Sequence, residues 1–360
     1  MHSLRLLWAA HNETIWKRRQ MRLRLRLQLE KNEDMPELLF IQHFRLNKIT
    51  FRRLCDDLKG HARLSGSSEI PLEIKVLCTL SFLATGSYQR IVGVGQYLTQ
   101  RTTSRCIREV VNALNHNCTI NRWIVFPQTP HERSLIKEKF QRKHNLPGVI
   151  GCIDCTHIAI TKPSEEEHIF FNRKGYHSLN VQMICDYDLK IINVNSKFGG
   201  ATHESHIWSA SHVETYMHGL HENGEHVWLL GDSGYPQRPW LMAPVLNAEP
   251  GSQEDSYTRR HVQARSRIEP CFGLLKARWR CMLRDRVLHY HPNMASKITN
   301  ACCVLHNIAL DARIPPPSDA PIGGLKAGEE PSMLQSISTN DNENELIRGR
   351  AMGSCLISRM

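Results

Sequence analysis

The sequence has 360 residues, of which 41% are hydrophobic, and its formal net charge is +11. This size and composition are typical of a globular protein with one large domain or two ordinary ones. The longest mostly apolar run, which starts at Val76, has about ten residues and is half the length of a membrane span, so we expect no membrane segment.

Two separate stretches of the chain concentrate the positive charge. The segment from Trp16 to Arg26 contains six basic residues and no acidic one, and it lies in an arm that we assign to residues 1–39. Between Tyr257 and Arg286 there are nine basic residues against two acidic ones. A single basic run is usually a solvated face, but two concentrations in one chain indicate a polyanionic partner, and we favour DNA.

Residues 40–140 have apolar side chains at helical spacing and are predicted to form an all-helical domain. Within it, the segment from Gln89 to Leu114 predicts a short helix, a glycine-containing turn and a second helix capped by Thr102 or Thr103. The second helix would expose Arg101, Arg105 and Arg108. This pattern fits a DNA-binding helix-turn-helix, and it equally fits an ordinary helical hairpin.

The pattern changes in residues 141–312, where strands and helices are mixed. The segments "GVIGCIDCTHIAI", "LNVQMICDYD" and "LKIINVNSKF" predict three strands, and "HVWLLGDSGYP" predicts a fourth strand after a helix. A later segment, "ARSRIEPCFGLLKARW", is predicted to be helical. Together they predict a mixed α/β domain. Residues 313–360 show no core pattern and are predicted to be a disordered polar tail.

The pair Cys152 and Cys155 has the CxxC spacing of a zinc site. No second CxxC accompanies it, and an extended strand would direct the two thiols to opposite faces. We therefore expect reduced, mostly buried thiols, and we keep a zinc-binding regulator as the weakest alternative.

Four acidic residues stand out by position. Asp154 lies within an apolar strand, where an unpaired carboxylate would be costly, and Asp232 directly follows the fourth strand. Glu269 lies at the start of the late basic helix, and Glu204 lies in a loop that leads into a helix. A buried carboxylate of this kind must be paired, protonated or bound to a cation.

Five segments in order resemble one known family, the Harbinger transposase-derived nucleases, which belong with the PIF/Harbinger transposases of the DDE class. They are "GVIGCIDCTHIAITKP", "FNRKGYHSLNVQMICD", "GGATHESHIWSAS", "LLGDSGYP" and "RSRIEPCFGLLKARWR". The resemblance extends from about Phe40 to Asp311. It implies a ribonuclease-H-like fold for the mixed sheet and its flanking helices.

The resemblance also implies a metal-dependent nuclease centre. The catalytic residues of the family fall on Asp154, Asp232 and Glu269, and a further metal ligand, an aspartate in the family, falls on Glu204. The expected cofactor is Mg²⁺ or Mn²⁺, used in a two-metal cleavage of DNA phosphodiester bonds. Because glutamate is one methylene longer than aspartate, Glu204 is the departure that could weaken a metal site.

The family further implies a nuclear protein, with the cytoplasm as a second location, that works with a separate Myb-like DNA-binding partner. The main alternative is a transposase-derived DNA-binding protein whose catalysis has decayed. The intact set of Asp154, Asp232 and Glu269 favours the nuclease.

Overall fold

The computed structural model describes residues 2–67, 69–317 and 340–358. The chain forms two compact units. The first contains residues 1–123, 278–286 and 300–318, and the second contains residues 124–277, 287–299 and 319–360. Within the described ranges, no helix combines the length and the hydropathy that crossing a membrane requires.

The first unit is helical. Its consecutive helices are α1 (His2–Asp34), α2 (Glu37–Phe44), α3 (Lys48–His61), α4 (Leu72–Thr85), α5 (Gln89–Val94), α6 (Gln100–Leu114) and α7 (Asn117–Trp123). Two short 3₁₀ turns, Arg280–Met282 and Arg284–Arg286, belong to the same unit. Helix α4 lies at its centre, since eleven of its fourteen residues are buried.

The basic arm is a helix that packs on this unit through a narrow stripe. Leu25 is fully buried, and the Gln28 side chain donates to the Gly95 carbonyl oxygen at 3.3 Å. The basic residues on the other sides of α1 are exposed: Lys17, Arg18, Arg19, Arg22, Arg24 and Arg26. One side of α1 therefore packs on this unit, and its other sides expose basic residues to solvent.

The segment from Gln89 to Leu114 forms two helices, α5 and α6, joined by a short turn. Helix α6 begins earlier than predicted, because Thr99 is the N-cap and its Oγ1 accepts a hydrogen bond from the Thr102 amide at 3.3 Å. Thr103, the other predicted cap, is buried inside the helix and donates to the Thr99 carbonyl oxygen. Two helices joined by a short turn occur both in a helix-turn-helix and in a helical hairpin, so DNA binding by α6 stays a prediction.

The second unit is a mixed α/β layer. In chain order its elements are α8 (Pro130–His144), β1 (Val149–Ala159), α9 (Glu167–Phe170), β2 (Ser178–Cys185), β3 (Ile191–Gly199), α10 (Glu204–Ser209), α11 (His212–Glu222), β4 (Trp228–Leu230), β5 (Leu241–Met242), α12 (Gln253–Arg265) and α13 (Ile268–Arg278). A further helix, α14 (Pro292–Asp311), follows; its residues up to 299 belong to this unit and those from 300 onward to the first unit. The predicted late helix, from Ala264 to Trp279, corresponds to the last two residues of α12 and to α13, and the sequence indicated neither the rest of α12 nor β5.

The sheet has five strands in the order β3-β2-β1-β4-β5. Strands β1, β2 and β3 form an antiparallel meander, whereas β4 is parallel to β1 and β5 is parallel to β4. The chain passes from β3 to β4 through α10 and α11, as a parallel pairing requires a crossover. All eight residues of β2 are buried.

The tail differs from the sequence prediction. Residues 340–358 form a helix, α15 (Asn340–Ser358), and the rest of the predicted disordered segment beyond residue 317 lies outside the described residues. The Glu345 carboxylate pairs with the Arg238 guanidinium at 3.0 Å. A Cβ at Gly349 would lie 2.9 Å from the Arg238 backbone, so glycine permits a close approach of this helix. Because Gly349 and Gly353 fill buried positions, the tail shows no hydrophobic periodicity.

The capping of α6 can be tested by substitution. Thr99→Ala removes the side-chain oxygen that satisfies the Thr102 amide, and the free energy of unfolding is expected to fall by about 1 kcal/mol. Thr102→Ala is the matched control and should cost less than about 0.5 kcal/mol, because it loses only the exposed hydrogen bond that its Oγ1 accepts from the Thr99 hydroxyl at 3.0 Å and keeps the cap itself. Urea denaturation of both variants measures the difference, and a larger loss for Thr102→Ala would contradict the assigned cap.

Candidate metal centre

The pairing of β1 with β4 brings two of the predicted acids together. The parallel register aligns Cys152 with Leu230. Asp154 lies two residues after Cys152, and Asp232 lies two residues after Leu230. Asp232 follows β4 in a tight turn, in which its Oδ1 accepts a hydrogen bond from the Gly234 amide at 2.9 Å. The sheet therefore presents both carboxylates side by side.

A compact loop at the end of β3 brings in Glu204. The Gly200 amide donates to the Ser178 carbonyl oxygen at 2.8 Å, and a Cβ at Gly200 would lie 2.2 Å from the Ser178 Oγ. Any larger residue would therefore push this loop away from β2. The Asn180 side chain holds the same loop by donating to the Thr202 carbonyl oxygen at 2.8 Å. Glu204 then begins α10.

Asp154, Glu204 and Asp232 form a carboxylate cluster. One oxygen from each lies within 4.8 Å of the others, and all three residues are half-buried. Hard oxygen donors at this spacing fit Mg²⁺ or Mn²⁺, which prefer carboxylate and water ligands. Within the described part of the chain, no other group of three or more acidic, histidine or cysteine side chains meets the same criterion.

Glu269 lies next to this carboxylate cluster and is connected to it through Arg265. Glu269 is the second residue of α13, and Arg265 is the last residue of α12. The Arg265 guanidinium donates from Nη1 to Asp154 Oδ2 at 2.9 Å and from Nη2 to Glu269 Oε1 at 3.4 Å. The structure thus places Glu204, expected as a secondary ligand, with the two aspartates, and places the predicted catalytic glutamate on the far side of an arginine.

Sequence reasoning missed Arg265, although its spacing of four residues from Glu269 is a recognisable signal for a side-chain pair. It also did not indicate how Lys276 reaches β1. The Lys276 ammonium donates to Thr156 Oγ1 at 2.6 Å and lies 3.5 Å from the His157 carbonyl oxygen. Lys276 therefore links α13 to the strand that carries Asp154.

The two thiols of the CxxC segment face different surroundings. The Cys152 Sγ lies 3.3 Å from the Ala264 carbonyl oxygen, and the Cys155 Sγ lies 3.5 Å from the Tyr235 hydroxyl. Burial raises the pKa of both thiols well above the usual range, and for Cys155 the negative charge of Glu204 adds to this effect. Both side chains are therefore neutral thiols at physiological pH, and neither belongs to the carboxylate cluster.

Four other basic side chains of the second unit have plainer environments. Arg173 and Lys174 are exposed on the turn between α9 and β2. The His157 Nδ1 lies 3.0 Å from the Ser178 Oγ, and His203 is the N-cap residue of α10, directly before Glu204. These two histidines are placed on the elements that carry the acids.

Comparison with known proteins is consistent with this arrangement. Residues 153–307 match the family described as "DDE superfamily endonuclease". No solved structure shows a significant match to the chain.

Several relatives match over most of the chain. "Putative nuclease HARBI1" from Bos taurus and the protein of the same name from Homo sapiens are each 35% identical over 247 residues, which cover 68% of this chain and 69% of each relative. "Protein ALP1-like" from Arabidopsis thaliana is 25% identical over 299 residues, or 78% of this chain and 72% of that protein. The carboxylates, their order along the chain and these identities agree: the chain belongs to the Harbinger transposase-derived nuclease family.

Proposed function

We propose that this protein is a DNA endonuclease that depends on Mg²⁺ or Mn²⁺ and cleaves phosphodiester bonds at the carboxylate cluster. The observation that carries the proposal is the convergence of Asp154, Glu204 and Asp232, whose oxygens lie within 4.8 Å of one another. The Glu204 side chain is one methylene longer than aspartate, and its carboxylate still lies beside those of the two aspartates. This supports a retained metal site over a decayed one.

A phosphodiester resists attack because its negative charge repels the incoming oxygen. A bound divalent cation would neutralise that charge and lower the pKa of the attacking water. Asp154, Glu204 and Asp232 would hold the cation, and the turn at Gly234 keeps the Asp232 carboxylate oriented. A second metal ion is implied by the family resemblance. Asp154 would then be the ligand that both ions share, and Glu269 would complete the coordination of one of them.

DNA is the substrate that the charge distribution supports. The exposed basic residues of α1 give the protein a cationic surface, whereas on α12 and α13 only Arg259 is exposed and the other basic residues are half-buried or buried. Arg173 and Lys174 are candidates for phosphate contacts, and Arg101, Arg105 and Arg108 on α6 are candidates if α5 and α6 act as a helix-turn-helix. The mixed sheet, with acids after β4 and within β1, supports a ribonuclease-H-like fold.

A nuclear location and a separate Myb-like partner remain proposals from the family resemblance. The relatives' names describe a nuclease and do not mention a partner. The cluster of basic residues in α1 is compatible with a nuclear import signal.

Removing one ligand tests the catalytic proposal. Asp154→Asn is expected to reduce Mn²⁺-dependent nicking of supercoiled DNA by about 100-fold or more, since even residues that only support metal ligands contribute up to that factor. Asp188→Asn is the matched control, because Asp188 is exposed and pairs with Lys139 away from the cluster. Wild-type protein that never nicks DNA with Mn²⁺ or Mg²⁺, while still binding it, would favour the decayed DNA-binding protein.

The thiols provide a second test. Because neither thiol belongs to the carboxylate cluster, Cys152→Ser with Cys155→Ser should leave the Mn²⁺ and Mg²⁺ dependence of nicking unchanged. Stability should fall by about 1–3 kcal/mol per buried hydroxyl that lacks a partner. Cys302→Ser with Cys303→Ser, a buried pair in the first unit, is the control for stability alone. A folded Cys152 and Cys155 double variant that has lost both activity and a bound zinc would support the zinc site instead.

The role of α1 is tested by salt dependence. Replacing Arg22 and Arg26 with glutamine should reduce the slope of log K against log salt by about 1.8 if each contacts one phosphate. The control replaces Arg348 and Arg350 of α15, which are also exposed. Fluorescence anisotropy with a labelled duplex at several salt concentrations measures both slopes. Equal slopes for the two variants would show that these α1 cations do not contact DNA.

A further inference from the structure

Arg265 lies between two acids that the nuclease reaction needs. It belongs to the last turn of α12, and its guanidinium bridges Asp154 on β1 and Glu269 on α13. The bond to Asp154 is the shorter, at 2.9 Å against 3.4 Å. One side chain therefore joins the carboxylate cluster to the one predicted catalytic residue that lies outside it.

The ion pair with Asp154 is shielded from solvent. The Arg265 and Asp154 side chains are 19% and 17% exposed, whereas Glu269 is 39% exposed. Charge-assisted hydrogen bonds are stronger than neutral ones, and screening by salt is weaker for partly buried pairs. The contact with Asp154 is therefore the stronger half of the bridge.

Both oxygens of Asp154 have a polar contact within the protein. Oδ1 accepts from the Cys155 amide at 2.7 Å, and Oδ2 accepts from Arg265. Without a cation, three carboxylates with oxygens within 4.8 Å of one another repel each other, and the positive guanidinium offsets part of that repulsion. A divalent cation at Asp154 would be repelled by the same guanidinium.

We propose that Arg265 is a positioning residue that acts as a built-in counter-cation. It holds Asp154 and Glu269 in the metal-free protein, and it withdraws from Asp154 when a divalent cation binds. Metal affinity is then set by competition with Arg265, and withdrawal frees Glu269 to approach the carboxylate cluster. This inference rests on the proposed metal site.

A purely structural role for Arg265 gives a different expectation. If the guanidinium only ties α12 and α13 to β1, then its loss lowers stability equally with and without metal. Competition instead predicts that the variant loses stability in the absence of metal and gains metal affinity. The deciding readout is therefore the response of the melting temperature to metal.

The experiment compares the full-length wild type with Arg265→Gln in EDTA and across a Mn²⁺ titration. In EDTA the variant should melt roughly 3–6 °C lower, because one or two charge-assisted hydrogen bonds are lost. The Mn²⁺ concentration that gives half of the thermal stabilisation should fall about tenfold, as expected for the loss of a competing charged hydrogen bond.

Arg267→Gln is the matched control. Arg267 lies two residues away and also makes two hydrogen bonds, but it donates them to the Tyr187 carbonyl oxygen and stacks on the Tyr187 ring at 4.8 Å. This variant should melt lower in EDTA with an unchanged Mn²⁺ midpoint. A Mn²⁺ midpoint for Arg265→Gln that equals or exceeds that of the wild type would overturn the proposal.

Two further variants keep the test decisive. If Arg265→Gln does not fold, Arg265→Met removes the charge and keeps most of the aliphatic packing, and its Mn²⁺ midpoint should still be lower than that of the wild type. In an Asp154→Asn background, Arg265→Gln should lower the EDTA melting temperature by a smaller amount than in the wild type. An equal decrease in both backgrounds would contradict the pairing of Arg265 with Asp154.

Failure of the inference can be distinguished from failure of the proposed function. If Mn²⁺ stabilises the wild type but Arg265→Gln has no tighter midpoint, only the counter-cation role is wrong. If Mn²⁺ stabilises neither protein, the metal site itself is wrong and the inference falls with it. A response seen in Arg265→Gln alone would support competition most directly.

Discussion

The parallel pairing of β1 with β4 is the constraint on which the candidate metal centre depends. These strands contribute Asp154 and Asp232, and the register of Cys152 with Leu230 sets the two acids side by side. A shift of one residue would turn one carboxylate to the opposite face of the sheet. Ile153 and Leu229 are fully buried, so the hydrophobic core specifies this register. Burial of apolar side chains thereby fixes the geometry of a polar site.

The electrostatic balance of the site depends on what surrounds the acids. On one side, burial and the nearby acids raise the pKa of Cys155 and of the Tyr235 hydroxyl well above their usual ranges, so both groups stay neutral and add no charge. On the other side, Arg265 supplies a positive charge to Asp154 and Glu269. The carboxylates thus have neutral groups on one side and a cation on the other. This arrangement lets them accept a divalent cation, and the positive charge of Arg265 stabilises them when no cation is bound.

Local sequence patterns predicted much of the second unit. Continuous apolar and β-branched runs indicated β1, β2 and β3, and acids at strand positions drew attention to Asp154 and Asp232. The patterns failed where packing does not depend on large apolar side chains. Helix α15 packs through Gly349, and β5 has only two residues, so neither shows a period that can be recognised. The cap of α6 was misplaced because three threonines lie within five residues and only the backbone geometry selects Thr99.

The sequence by itself indicated the helical character of residues 40–140, the mixed α/β character of the residues after them, the family and four candidate acids, because each depends on residue type and local order. Only the tertiary structure decided which acids meet. Glu204 joins Asp154 and Asp232 because a glycine-dependent loop folds against β2, and Glu269 stays apart because Arg265, 111 residues from Asp154 in the chain, lies between them. Contacts between residues so distant in sequence depend on how the helices and strands pack together. Local sequence patterns do not specify that packing.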